Sequence, residues 1–342
     1  MMPEKPERRN TIALDLMGGD YAPDAIIDGC ITSLEKGTSI LALGDERAVN
    51  LLQRRADYPN LKTLVCSQVI TAGDAPVKAI RAKRDSTIVR GLMAVKNGEA
   101  GAFVSAGSTG ALLAGGVLIL KRAEGVDRPC LGIVLPSQSG RGVLFMDLGA
   151  SSDVRPETLV KFGLMGKIYA ERVLGWHEPS VGLLNIGSER DKGNTVIRKA
   201  YRLMEDAPLK FAGNIEARDV FFEKADIVIT DGFTGNIFLK TCEGTVLFQV
   251  RAMKKEMKRN FSSKLGALLL RHAFDKVNQT LDYSSYGGAP MLGLEGCLVK
   301  CHGSSKSVAI DNGIQQALRF LIGDVASVIS STLSKKSLGE SE

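Results

Sequence analysis

Apolar and polar positions along this chain follow two alternating rhythms. Short runs rich in Ile, Val and Leu are separated by longer stretches in which apolar residues recur every three or four positions. Strands that alternate with amphipathic helices argue for a mostly parallel sheet covered on both faces, the α/β class. The runs place strands at 11–16, 39–43, 61–66, 101–105, 131–135, 143–147, 181–186, 209–212, 227–230 and 297–301. Helical periodicity covers 23–36 and 156–174, each with Pro near the first turn, then 195–205, and one continuous terminal helix over about 305–333. Another long helical pattern begins near Ile237 and runs into a basic, partly apolar segment at about 245–276. No repeat or Pro-rich linker divides the chain, so 11–335 is read as a single α/β domain between a flexible polar tail at 1–10 and a second tail at 336–342.

Composition narrows the class. The 342 residues are 44% hydrophobic and 24% charged, enough apolar material for a substantial core and against a disordered chain. The longest clean apolar run, 111–120, contains two glycines and stops at Lys121-Arg122, too short to span a bilayer. With no apolar leader at the start, the expected location is cytoplasmic. Six scattered cysteines read as reduced, mostly buried thiols. Cys297 and Cys301 beside His302 lack a second ligand pair at suitable spacing, so neither a metal nor a cofactor is expected. A net charge of +6 is too mild to imply nucleic acid, and none is expected as a partner.

The segments at the strand ends are more informative. DLMGGD at 15–20, SAGSTG at 105–110, DLGAS at 147–151, NIGSE at 185–189, GNIE at 213–216 and HGSS at 302–305 put Gly and short polar side chains where strands should end. Ligands of open parallel sheets bind at the carboxyl ends of strands, so several such loops on one edge would form a site. DGFTGN at 231–236 reads as a strand, a tight turn and a helix start. Gly232 and Gly235 let backbone approach a ligand, Thr234 and Asn236 offer short hydrogen-bonding groups, and the helix start aims N–H groups at an anion. No dinucleotide fingerprint, P-loop or G-x-S-x-G elbow comes after a strand, and only three histidines are available for a triad. Such a chain, if catalytic, works by positioning and electrostatics rather than through a covalent nucleophile.

DLMGGDYAPD at 15–24, SAGSTGAL at 105–112, DRP at 127–129, LLNIGSERDKGN at 183–194, GNIEARD at 213–219, DGFTGN at 231–236, YGGAPMLGL at 286–294 and HGSS at 302–305 together resemble, in order, the bacterial phosphate acyltransferases that make acyl phosphate from acyl carrier protein. Ser108, where that family commonly has Asn, and Ser151-Ser152, in place of an Asn-containing turn, depart from the pattern. The resemblance implies a homodimeric three-layer αβα sandwich, similar to the phosphotransacetylase and isocitrate or isopropylmalate dehydrogenase-like folds. It implies that inorganic phosphate attacks the thioester of acyl-[acyl carrier protein], feeding phospholipid synthesis, with a downstream glycerol-phosphate acyltransferase as a further partner. On this reading Lys192 is the cation that clamps phosphate or the thioester oxygen, and Asn236 is its uncharged companion. Gly193 gives the backbone room and Asn194 caps the next helix. Ser105, Gly107, Ser108, Thr109, Asp231, Gly232, Thr234, Gly235, His302, Gly303, Ser304 and Ser305 complete the candidate phosphate and substrate site. Asp15, Asp147, Glu216 and Asp231 would repel phosphate, so they are expected to orient Lys192, Arg218 or backbone donors.

The stretch 251–276 carries eight Lys or Arg against Glu256 and Asp275. Lys254, Lys255, Lys258 and Arg259 suit an acidic carrier protein, and Leu265, Leu268 and Leu269 suit the inner face of an anionic membrane. The bland alternative packs those leucines on a dimer mate. Competing functions are a phosphotransacetylase-like enzyme using acyl-CoA, a dehydrogenase on the related fold, and a non-enzymatic carrier- or membrane-binding scaffold. The dehydrogenase lacks a nicotinamide-binding loop, and the scaffold leaves the Gly-rich strand ends without a purpose.

Overall fold

In the computed structural model the described residues are 10–281 and 287–334. The tails expected at 1–10 (Asn10 apart) and 336–342, and Tyr286 of the YGGAPMLGL motif, lie outside them. In chain order the principal elements begin β1 (Ile12–Asp15), α1 (Asp24–Glu35), β2 (Ile40–Gly44), α2 (Glu46–Arg55), β3 (Leu61–Val65), α3 (Pro76–Ala82), α4 (Thr87–Lys96), β4 (Ala102–Ser105) and α5 (Thr109–Gly115). Then come β5 (Cys130–Leu135), β6 (Val143–Met146), α6 (Pro156–Tyr169), β7 (Ser180–Asn185), α7 (Thr195–Glu205), β8 (Lys210–Glu216) and β9 (Ile227–Ile229). The chain continues through α8 (Gly232–Met257), α9 (Phe261–Leu269), α10 (Arg271–Leu281), β10 (Ala289–Leu292), β11 (Cys297–Lys300), α11 (Ser307–Ile322) and α12 (Val325–Leu333).

All eleven strands form one sheet in the order β3-β2-β1-β4-β11-β10-β5-β6-β9-β7-β8. Seven of its pairings are parallel and three, β11 with β10, β10 with β5 and β5 with β6, are antiparallel. The sheet is therefore mostly parallel, but its two halves run in opposite senses on either side of the central β10–β5 pair.

Side chains alternate across each strand and so build two cores. Leu14, Val104 and Val299 pack with Ile26 and Ile27 of α1 and Ile310 and Ile314 of α11. Ala13, Phe103 and Leu298 face the other way, onto Ile88 and Leu92 of α4. Each fully buried Leu or Ile contributes about 1.5–3 kcal/mol relative to exposure, and helices on both faces make the three expected layers.

The structure revises several expectations. β10 was not foreseen, because its four residues include Pro290 and come directly after Gly287-Gly288, which reads as a turn. The single terminal helix is two, interrupted at Gly323 and Asp324, where Asp324 adopts left-handed φ +49°. Gly213, Asn214, Ile215 and Glu216 lie within β8 rather than after it, in the half-strand beyond a register shift opposite Val181/Gly182. The helix expected near Ile237 starts five residues earlier, at Gly232, because Asp231 caps it.

Candidate functional site

A cavity of about 790 Å³ lies over the central strands where the two halves meet. Loops from both halves converge on it: Met17 to Asp20 after β1, Ala106 to Gly110 after β4, and His302, Gly303 and Ser305 after β11 on one side, with Leu148 and Gly149 after β6 and Asn236 of α8 on the other. Opposed strand directions thus replace the single shared edge that the sequence suggested. The lining is divided in character. Ile70, Leu113, Leu131, Ile133, Leu148 and Leu239 make apolar walls, while Lys240, Lys300 and His302 bring basic side chains.

Three buried or capping carboxylates hold the loops. Asp15 Oδ1 accepts the Met17 N–H at 3.0 Å and Oδ2 accepts the Ser105 hydroxyl at 2.7 Å, while the Ser105 oxygen accepts the Gly107 N–H at 2.9 Å. One acid therefore ties the loop after β1 to the loop after β4. A Cβ on Gly18 would lie 2.5 Å from the Gly107 nitrogen, so only glycine allows the two backbones to meet. Burial pushes the Asp15 carboxyl above its ordinary range, against the hydrogen bonds that favour its charge.

Asp147 does the same for the loop after β6. Its Oδ1 accepts N–H groups of Leu131, Gly149 and Ala150 at 2.9, 3.2 and 3.1 Å, and its Oδ2 that of Ser151 at 2.7 Å. Burial still pushes this carboxyl up to about 6, in opposition to the four donors. Asp231 caps α8, its Oδ1 accepting the Thr234 N–H at 2.8 Å and its Oδ2 the Thr234 hydroxyl at 2.7 Å. Glu216 pairs with Arg218 at 3.1 Å. The acids thus hold backbone donors, the hydroxyls of Ser105 and Thr234, and Arg218, and none of these four is paired with Lys192.

Of the residues singled out from the sequence, Gly107, Ser108, Thr109, Asn236, His302, Gly303 and Ser305 line the cavity. Ser108 also accepts the Ala111 N–H at 3.5 Å as the cap of α5. Ser105 is buried beneath the lining, and Ser304 bonds His302 Nδ1 at 2.7 Å. Asp231, Gly232, Thr234 and Gly235 build the turn that presents Asn236. Gly232 and Gly235 are required there, since a Cβ on them would lie 2.7 Å from Asp147 Oδ2 and 1.8 Å from the Asp147 carbonyl oxygen. Ser151, the other departure from the family pattern, donates its hydroxyl to the Pro129 carbonyl at 3.0 Å.

Lys192, Gly193 and Asn194 occupy the loop after β7 and are not among the lining residues. Asn194 caps α7 as expected, accepting the Ile197 N–H at 3.0 Å. Lys192 is 47% exposed, with Nζ 4.0 Å from Glu189 Oε1. β7 pairs in parallel with β9, so this loop leaves the sheet beside the turn that carries Asn236.

The cations that do line the cavity, Lys300 and Lys240, were not singled out. Lys240 lies one helical turn beyond the DGFTGN motif and pairs with Glu243 at 2.7 Å. Lys300 ends the otherwise apolar β11, and burial holds its ammonium below its usual pKa. A lysine closing a buried strand immediately before CHGSS was the available signal. His302 is likewise lowered, by burial first and by Lys300 and Lys240 in addition. On the outer surface, Lys254 and Lys255 lie in the last turn of α8, Lys258 caps it, and Arg259 pairs with Glu256 at 3.3 Å. Leu265, Leu268 and Leu269 of α9 are exposed, and no residue of that helix is buried.

Fold and site together define an α/β protein with an anion-suited, apolar-walled cleft between two opposed half-sheets. The protein is similar in fold to a phosphotransacetylase from Streptococcus pyogenes, with TM-score 0.62 at 14% identity over 92% of this chain and 96% of that one. An EutD phosphotransacetylase from Staphylococcus aureus gives 0.55 at 15% identity, over 92% and 95%. Residues 10–328 match the family described as fatty acid synthesis protein, and the chain belongs to it. A phosphate acyltransferase from Caldanaerobacter subterraneus subsp. tengcongensis is 42% identical over 92% of this chain and 94% of its own length. One from Brevibacillus brevis is 40% identical over 97% and 99%.

Proposed function

We propose that this protein is a phosphate acyltransferase that transfers an acyl group from the thioester of acyl carrier protein to inorganic phosphate. A phosphate oxygen attacks the thioester carbonyl carbon, the carbon–sulfur bond breaks, and the carrier leaves as a thiolate that takes up a proton. The product is an acyl phosphate. The observation that carries this reading is the divided cavity, with aliphatic walls beside a polar, basic end. An acyl chain and a phosphate have opposite solvation needs, and such a site meets both within reach of one carbonyl. Family membership supports the same chemistry.

Phosphate is already anionic near neutrality, so the site must hold it in line and stabilise the oxyanion that develops on the carbonyl. Asn236 supplies an uncharged donor from the cavity wall, and Lys192 acts from the neighbouring loop. Exposed basic residues at the end of α8 take the acidic carrier, and exposed leucines of α9 touch the membrane into which the product's acyl group is destined. Apolar side chains along α8, among them Phe233, Ile237, Leu247 and Phe248, remain exposed in the single chain and fit a homodimer. The acyl phosphate, a reactive mixed anhydride, passes to a glycerol-phosphate acyltransferase.

Incubation with acyl carrier thioester and phosphate tests this reading. Release of free thiol together with acyl phosphate is expected. Turnover confined to acyl-CoA would favour the phosphotransacetylase-like alternative, and thiol release without acyl phosphate would indicate hydrolysis instead.

A further inference from the structure

We infer that Lys300 is a phosphate-binding residue of the cavity, the buried positive charge against which inorganic phosphate docks. This deepens the reading as acyl transfer to phosphate and rests on it for the identity of the anion.

Lys300 is only 9% exposed. It stands at the end of β11, level with Ser105 of β4 and Ala289 of β10. Alternation along the strand sends Val299 into one core and turns Lys300 to the face that carries Leu298, Leu131, Ala289 and the cavity. Its ammonium donates to the Cys301 carbonyl, and among the described residues it forms no ion pair. Asp20 contributes a favourable charge from the loop after β1 but lies beyond salt-bridge distance.

A buried ammonium without a carboxylate partner is unfavourable, and burial accordingly depresses its pKa. Such a residue weakens the empty protein unless an anion completes its coordination. The other lining lysine is already engaged: Lys240 has Glu243 at 2.7 Å. Lys300 is therefore the cation with coordination to offer. Its place on a central strand rather than a loop also fixes its position against the reacting carbonyl.

The test compares the parent with Lys300→Met, which keeps most of the side-chain volume and removes the charge. Thermal unfolding is measured with phosphate replacing chloride at matched ionic strength. The parent should gain stability with phosphate, whereas Lys300→Met should start at or above the parent in chloride and gain little from phosphate. In steady state, the KM for phosphate should rise about 10- to 100-fold, the range for a hydrogen bond to a charged group, with the acyl-donor KM changed less than about twofold.

An undiminished phosphate response in the variant overturns the proposal, as does a parent with no response. Should Lys300→Met aggregate, labelling of the parent with a small amine-reactive reagent decides the matter. Phosphate must then protect Lys300 in the peptide map, and equal labelling with and without phosphate refutes the assignment. A parent that binds phosphate through Lys300 yet leaves the acyl carrier thioester intact would sink the acyl-transfer reading alone. Turnover with an unchanged phosphate KM in Lys300→Met would sink the Lys300 assignment alone.

Discussion

Asp147 concentrates opposing forces on one side chain. Four N–H groups favour its charge, and complete burial disfavours it, with the outcome a carboxyl pushed from 3.8 up to about 6. A raised folded-state pKa means that the stabilising contribution is fully present below 3.8 and is lost as pH rises through about 6. Asp147→Asn removes this titration and points an amide donor at one of the four N–H groups, costing about 1–3 kcal/mol for the unsatisfied pair. The stability gap between parent and variant should therefore narrow as pH rises through that window, measured by denaturant unfolding at several pH values. A widening gap would mean that the four donors outweigh burial. Asn236 is a different case, because its neighbours position it toward the cavity. Asn236→Ala should lower kcat about 10²- to 10³-fold, roughly 2.7–4 kcal/mol, in a folded protein. Lys192→Ala should do likewise, the lysine acting from the loop that leaves β7 beside the turn carrying Asn236. Near-normal turnover in either purified variant would remove that residue from the mechanism.

At the scale of elements, close contact between α8 and the loop after β6 sets the cavity's far wall. Gly235 is the point of contact, where a Cβ would sit 1.8 Å from the Asp147 carbonyl oxygen. Gly235→Ala should destabilise by at least the upper end of the usual overpacking range of about 1–3 kcal/mol, since backbone rather than a flexible side chain must yield. Gly244 in the same helix has nothing within 4 Å, and Gly244→Ala should stabilise by roughly 0.5–1 kcal/mol through helix propensity. Equal effects at the two sites, read from unfolding curves, would contradict the packing account. Most elements were legible because buried parallel strands are written as compact apolar runs. Elements governed by a long-range partner were not. β10 is four residues with a proline lying antiparallel between β11 and β5, and the antiparallel step from β5 to β6 then reverses the sense of the second half of the sheet. Without that pairing, the strand-end loops appear to share one edge. The same gap hid Lys300, whose significance depends on its burial beside residues distant in the chain, whereas Asn194 and Asp231 were readable because a cap is local.

The whole molecule presents two surfaces that the cavity does not explain. Among the described residues no helix is long and apolar enough to cross a membrane. Instead α8, 26 residues long, carries Lys254 and Lys255 in its last turn, and α9 comes next with Leu265, Leu268 and Leu269 at 50%, 67% and 78% exposure. Charge and apolar surface are thus adjacent but separable. Reversing Lys254 and Lys255 to Glu should raise the apparent KM for acyl carrier protein and flatten its salt dependence. Steering by opposite charge acts over a screening length of roughly 8 Å at physiological ionic strength, so the parent should lose the advantage as salt increases. Replacing the three leucines with Gln should reduce sedimentation with anionic vesicles while leaving turnover of a soluble acyl carrier thioester within about twofold. The two variants should not exchange phenotypes. A leucine variant that loses self-association in analytical ultracentrifugation would assign the stripe to a subunit contact, where burial against a partner accounts for it. One that stays assembled and still binds vesicles as the parent does would move membrane contact away from α9.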